Sequence, residues 1–224
     1  MIRTPETLLE STTDPAAQVD ADWLIVGNWE DDALPPTTAD VNTATGGLLA
    51  RLVASGDIKG TLGTLVPVLA PTGIRATRLL VVGLGVKADA TRASLHDAAA
   101  AAARFVTTRK FGTVAFALPE SAHALAVGVG LSQGCYGPGR RRALPGRFAP
   151  KRLLLVSPSP IELARARAEA NAMWLARELV NAPPNELFPE SFAAVAAETG
   201  RACGMGVEVR DEARLAELEA GLTS

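Results

Sequence analysis

The chain has 224 residues, 48% of them apolar and only 4% aromatic, with a formal net charge of -2. That supplies a sizeable core of small and branched side chains, and enough length for one large domain or one and a half smaller ones. It excludes the overall basic excess that goes with nucleic-acid binding, and two cysteines, Cys135 and Cys203, make no disulfide framework, so both read as reduced thiols of a cytoplasmic protein.

In chain order, residues 1–20 are polar and turn-prone, a frayed arm or a first edge strand near Leu8-Leu9. They lack the apolar centre of a signal peptide, and no run reaches the roughly 18 apolar residues a membrane helix needs. Trp23–Gly27 reads as a short buried strand, and a loop broken by Pro35-Pro36 follows it. One helix is predicted next, with Val41, Ala44, Leu48, Leu49, Leu52 and Val53 on a single face and Ser55-Gly56-Asp57 at its end. Leu62–Leu69 is a strand whose Pro67 marks an edge or a bulge. Arg78–Gly83, running into Leu84-Gly85, is apolar on both faces, the pattern of a strand covered by helices on two sides.

A helix over Ala90–Lys110, a strand over Thr113–Leu118, a helix over Ala122–Gln133 and a strand over Arg152–Val156 complete an α/β alternation. The fold class is therefore α/β, a mixed, largely parallel sheet with flanking helices, over residues 20–158. A long alanine-rich helix begins at Ser159-Pro160, where Ser159 and Glu162 form a capping box and Pro160 fits the first helical position. Its spacing predicts a buried face of Ile161, Ala164, Ala168, Ala172, Leu175, Ala176 and Leu179, and an end at Asn181-Ala182-Pro183-Pro184 after about five turns. Beyond it come a helix over Pro189–Arg201, a strand at Val207-Glu208-Val209 and a helix over Asp211–Ala220, too few residues to form a domain alone.

Candidate chemistry is sparse. Gly83-Leu84-Gly85 with Ala88 imitates a dinucleotide fingerprint, in which glycine backbone approaches a pyrophosphate; the plainer reading is a tight turn at a strand end. Arg140, Arg141, Arg142, Arg147, Lys151 and Arg152 form a basic run, read as a solvated loop or as a binding patch for nucleic acid. His96 and His123 have no neighbours at metal-ligand spacing. Glu208, Asp211, Glu212, Glu217 and Glu219 are spaced as a helix cap and its exposed face. No catalytic, cofactor-binding or metal-ligating residue is assigned within the chain.

The segment ARELVNAPPNELFPESFA, Ala176–Ala193, resembles the opening of the catalytic domain in the leucyl aminopeptidase (cytosol aminopeptidase) family. WLIVGNWEDDALPP, TGGLLARLVASGDIKGTLGTLVPV, RLLVVGLGVK, TVAFALP and VEVRDEARLAELEAGL are similar to family segments in the same order, so the likeness covers most of residues 20–222. Two departures stand out: Phe188 replaces a Thr or Ser N-cap before Pro189, at a cost of about 1 kcal/mol, and Cys135-Tyr136-Gly137-Pro138-Gly139 replaces a Tyr-x-Phe segment.

The resemblance implies an N-terminal α/β domain of macro-domain-like topology over residues 1–158, a linker helix over 159–182, and the beginning of an aminopeptidase domain over 183–224. It implies peptide substrates, a homo-oligomer that is hexameric in the intact enzyme, and two divalent ions (zinc, manganese or magnesium) activating a bridging water. The lysine and carboxylate ligands of those ions, including an Asn-Thr-Asp-Ala-Glu-Gly-Arg motif, are expected downstream of Ser224, which leaves this stretch to position and assemble. The alternative is a stand-alone macro-like module that binds a nucleotide, ADP-ribose or nucleic acid.

Overall fold

The computed structural model describes residues 8–120, 123–137, 146–156 and 159–210, together with Glu212, Arg214 and Ala216. Six strands form one sheet in the order β1-β6-β5-β2-β4-β3. They are β1 (Leu8–Thr12), β2 (Trp23–Asn28), β3 (Leu65–Leu69), β4 (Arg78–Gly83), β5 (Thr113–Ala117) and β6 (Arg152–Val156). Every neighbouring pair is parallel except β3 with β4. The mixed, largely parallel α/β architecture expected from the alternation is the one observed. Pro67 lies on the antiparallel edge strand opposite Leu80, where a missing N–H leaves no gap inside the sheet.

The period-2 alternation of the strands builds two cores. Trp23, Ile25, Leu80, Val82, Val114, Phe116, Leu153 and Leu155 point to one face, beneath α3 (Arg92–Val106) and α4 (Ala124–Cys135). Leu24, Val26, Leu79, Val81, Ala115, Ala117, Leu154 and Val156 point to the other, where α1 (Pro36–Ala44) and α2 (Leu48–Ala54) pack. Because both faces are covered, the inner strands carry no polar alternation. Gly130 and Gly134 of α4 are packing positions: an added Cβ at Gly130 would sit 2.3 Å from the carbonyl oxygen of His96 on α3 and one at Gly134 2.5 Å from that of Ala100, so they let the two helices approach closely.

The single helix predicted over Val41–Val53 is two. Gly46 and Gly47 take φ of +64° and +80°, a left-handed pair that ends α1 and restarts the chain as α2. The apolar stripe survives the break because Val41 and Leu49 still reach the same core.

The chain divides into two units, one running through Trp174 and the other from Leu175 onward. The long helix α5 (Pro160–Asn181) keeps the bounds expected for it, which hold about six turns and not five, but its buried face differs from the predicted one. Leu163, Ala166, Ala170 and Trp174 are buried, whereas Ile161 is 72% exposed and Ala164, Ala168 and Ala172 face solvent. A helix rich in alanine offers an apolar stripe in almost any direction. The face that wins carries Leu163 and Trp174, whose burial contributes roughly 2 kcal/mol each, far more than any alanine.

In the second unit the Pro-Pro turn is closed by Glu186 and Leu187 N–H groups donating to the Pro183 carbonyl at 2.9 and 3.0 Å. Helix α6 (Pro189–Ala202) follows. Phe188 offers no capping oxygen, as the sequence indicated; only the return half of a capping box is made, the Phe188 N–H donating to Ser191 Oγ at 2.9 Å. Gly204, at φ +75°, terminates α6, and the Met205 N–H donates to the Gly200 carbonyl. Val207–Val209 is not a strand: it runs irregularly, with Val207 folded against Gly200 and no partner strand among the described residues. The helix expected over Asp211–Ala220 lies mainly outside the described residues.

Candidate functional site

In a parallel sheet, the crevice outside the carboxyl ends of the strands is where ligand-binding loops gather. Here β2, β4 and β5 end side by side and send out the segments at 29–35, 84–91 and 118–120. Thr37 Oγ1 donates to the Leu118 carbonyl at 2.7 Å and buried Thr38 Oγ1 to the Gly27 carbonyl at 2.7 Å, so α1 is tied to both strand ends.

The Gly83-Leu84-Gly85 turn lies in this crevice, but its amides are spent. Gly83 N–H donates to the Thr64 carbonyl, Leu84 N–H to Asn28 and Gly85 N–H to Gly60, at 2.8–2.9 Å, and Lys87 N–H donates to Asp31 Oδ1 at 2.9 Å. A Cβ on Gly83 would lie 2.0 Å from the Thr61 carbonyl oxygen. What stands against the turn is protein backbone. The segment that follows is a short 3-10 turn, Lys87–Asp89, and α3 begins only at Arg92, so no helix N-terminus points at the glycines. The fingerprint is a structural turn.

Two arginines of the basic run are held by the protein, while Lys151 is exposed. Arg147 Nη1 donates to the Arg104 carbonyl at 2.6 Å near the end of α3, and Arg152 binds Glu10 through two nitrogens at 2.7 and 2.9 Å, joining β6 to β1. Arg140, Arg141 and Arg142 lie outside the described residues. The histidines sit apart on α3 and at the start of α4. His96 Nδ1 lies 3.0 Å from Asp97 Oδ1. His123 has its Nδ1 sealed from solvent without a hydrogen-bond partner and its ring edge-on to Trp29, centroids 6.4 Å apart. Burial pushes the His123 pKa below the ordinary 6.5; the nearby Glu120 carboxylate pulls upward and the Lys87 ammonium adds to the depression. The Cys135 thiol is buried and pushed up to about 12, so it stays protonated, while Cys203 is exposed. Glu208 pairs locally with Arg210, Glu212 is exposed, and Asp211, Glu217 and Glu219 lie outside the described residues.

Among the described residues no three His, Cys, Asp or Glu side chains come together as a metal site. What the crevice does hold is a cavity of about 550 Å³ between the loop after β2 and the end of α2. Asn28, Leu34, Val53 and Ile58 line it, with Glu30 and Lys59 at its mouth. No motif announces it, because its two walls are some twenty residues apart in sequence.

Residues 25–140, just over half of the chain, match the model of the cytosol aminopeptidase family, N-terminal domain. The chain belongs to the cytosol aminopeptidase family. A protein of Streptomyces griseus named "Probable cytosol aminopeptidase" is 34% identical over 238 residues, covering 93% of this chain and 46% of the relative. One of the same name from Burkholderia pseudomallei is 31% identical, covering 90% of this chain and 43% of its own length. The chain thus spans somewhat under half the length of these cytosol aminopeptidases. Among solved structures, the bottromycin maturation enzyme BotP in complex with Mn superposes with a TM-score of 0.68 at 29% identity, covering 88% of this chain and 40% of that one. A mutant of tomato leucine aminopeptidase superposes with a TM-score of 0.76 at 22% identity, covering 96% and 46%, which shows a shared fold. No described helix is long and apolar enough to cross a membrane.

Proposed function

We propose that this chain serves as the N-terminal domain and connecting helix of a peptide-hydrolysing metalloexopeptidase that removes N-terminal amino acids in the cytoplasm. The carrying observation is the family match over residues 25–140, supported by relatives named as cytosol aminopeptidases. On this reading residues 1–158 form a macro-like α/β domain, 159–182 a connecting helix, and 183–224 the opening of the catalytic domain. The strand order β1-β6-β5-β2-β4-β3 supports the macro-like description.

Two divalent ions, drawn from zinc, manganese and magnesium, would activate water and stabilise the developing oxyanion. The described residues do not fit such a pair: His96 is taken by Asp97, His123 is walled in by Trp29, and no carboxylate joins either as a ligand set. On this reading the ligands would come from the family's downstream motif, and this stretch would position and assemble a homo-oligomer, hexameric in the intact enzyme.

The test is an assay of leucine p-nitroanilide hydrolysis with added Mn²⁺. The 224-residue chain alone is expected to be inactive. Joined through its Asn181–Asn185 turn to the remaining half of the Streptomyces griseus relative, it is expected to yield a cooperatively melting, Mn²⁺-dependent peptidase. Turnover by the chain alone, or a folded chimera without turnover, overturns the assignment.

A further inference from the structure

The cavity beside β2 has a property its acidic rim alone would not give it. Asn28 is only 4% exposed, and its Nδ2 donates to the Trp29 carbonyl at 3.0 Å, which fixes which end of the amide is the oxygen. Oδ1 then faces the cavity with no partner among the described residues. Unlike His123 Nδ1, this oxygen is not sealed from solvent, so a donor that enters the cavity can reach it.

The rest of the lining says which donor. Glu30 presents an exposed carboxylate whose one side-chain partner among the described residues is Thr61 Oγ1 at 3.3 Å, while Asp32 is already committed to Lys87 at 2.7 Å. Lys59, on the opposite wall, makes no hydrogen bond or ion pair among the described residues. Leu34, Val53 and Ile58 give the same cavity an apolar lining. An isolated cation would be repelled by Lys59, and an isolated anion by Glu30.

We propose that this cavity binds a free α-amino acid with an apolar side chain. Its ammonium, with three donors, would bridge Asn28 Oδ1 and Glu30; its carboxylate would meet Lys59; its side chain would cover Leu34, Val53 and Ile58. A volume of about 550 Å³ accommodates such a ligand with room for water. That the ligand is also what an aminopeptidase releases rests on the proposed function and would make the pocket a product sensor. The binding itself needs no peptidase.

The experiment is a heteronuclear NMR titration of the 224-residue chain with L-leucine, N-acetyl-L-leucine, L-leucinamide and glycine. L-leucine is expected to shift the amides of residues 28–34 and 53–59 saturably. Removing the ammonium, the carboxylate charge or the side chain should each weaken binding about tenfold or more. Glu30→Gln and Lys59→Met alter exposed side chains and should leave the melting temperature unchanged. Glu30→Gln should weaken L-leucine but not N-acetyl-L-leucine, and Lys59→Met should weaken L-leucine but not L-leucinamide, because each pair shares one lost contact. No shift at tens of millimolar ligand, equal affinity for leucine and leucinamide, or variants that bind as the parent does would each overturn the proposal. Failure of the chimera to hydrolyse peptides would leave these titrations unaffected, so the two readings fail separately.

Discussion

The turn after β4 and the turn after β2 lie side by side, stitched together by Leu84 N–H to Asn28 O and Glu30 N–H to Gly85 O. The first carries a glycine pattern associated with phosphates, yet the amides of Gly83, Leu84 and Gly85 are all spent, on the 60–64 loop and on Asn28. The second, Asn28-Trp29-Glu30, carries no recognised pattern, yet its Asn28 side-chain oxygen has no partner among the described residues and it opens onto a cavity. What separates them is the neighbour: Gly60 presses its backbone against both turns and seals only one. Ligand competence at a strand end is decided by where the backbone hydrogen bonds go.

The comparison breaks most severely at Gly60. At φ +74° it takes a left-handed conformation, and a Cβ there would sit 2.3 Å from the Trp29 carbonyl oxygen. Gly60→Ala should therefore cost about 3–4 kcal/mol, adding strain to a backbone clash, and lower Tm by roughly 10 °C. Gly63→Ala supplies the control. Its φ of +75° is similar but nothing lies within 4 Å, so only the left-handed penalty of about 1–2 kcal/mol remains. Urea denaturation of both variants checks the difference; equal losses would mean the 60–64 loop yields freely and does not seal the β4 turn.

A smaller effect tests the same idea, local packing over pattern, on α5. Ala166 is fully buried, with the added Cβ of Gly128 falling 3.0 Å from its own Cβ, whereas Ala168 is exposed. Ala166→Leu should overpack the α4–α5 contact and cost about 2 kcal/mol, while Ala168→Leu should stay within about 0.5 kcal/mol of the parent. The reverse order would restore the face predicted from spacing.

Much of the first unit was legible because its strands leave no choice. Leu79–Val82 and Leu153–Val156 are apolar on both faces and fit only the inside of a two-sided sheet, and Pro67 fits only an edge. Legibility failed where the residues permit two answers. Gly46-Gly47 can sit in a helix or break one, and the stripe from Val41 to Val53 reads the same either way. The alanines of α5 satisfy several faces, and the choice lies with Trp174 and Leu163. Val207-Glu208-Val209 has strand chemistry but no partner strand to pair with. The cavity was illegible for another reason: Asn28 and Lys59 meet only through the fold, and Asn28 counts because of a bond its oxygen does not make.

The smallest expected effect lies at the back of the β2 turn, where Trp29 stands edge-on to His123. Burial holds the folded His123 below its ordinary pKa of 6.5, and Nδ1 has no acceptor to stabilise a second proton. As pH falls through 6.5 the unfolded chain takes up the proton first, so stability is full above that value and declines through the window beneath it. Denaturant midpoints measured on either side of the window should show this decline in the parent and a flatter profile in His123→Gln. Because Trp29 also lines the cavity, the same variant distinguishes two origins of any pH dependence in amino-acid binding. A dependence that vanishes with His123 comes through the Trp29 wall, and one that persists comes from the ligand's own ionisation.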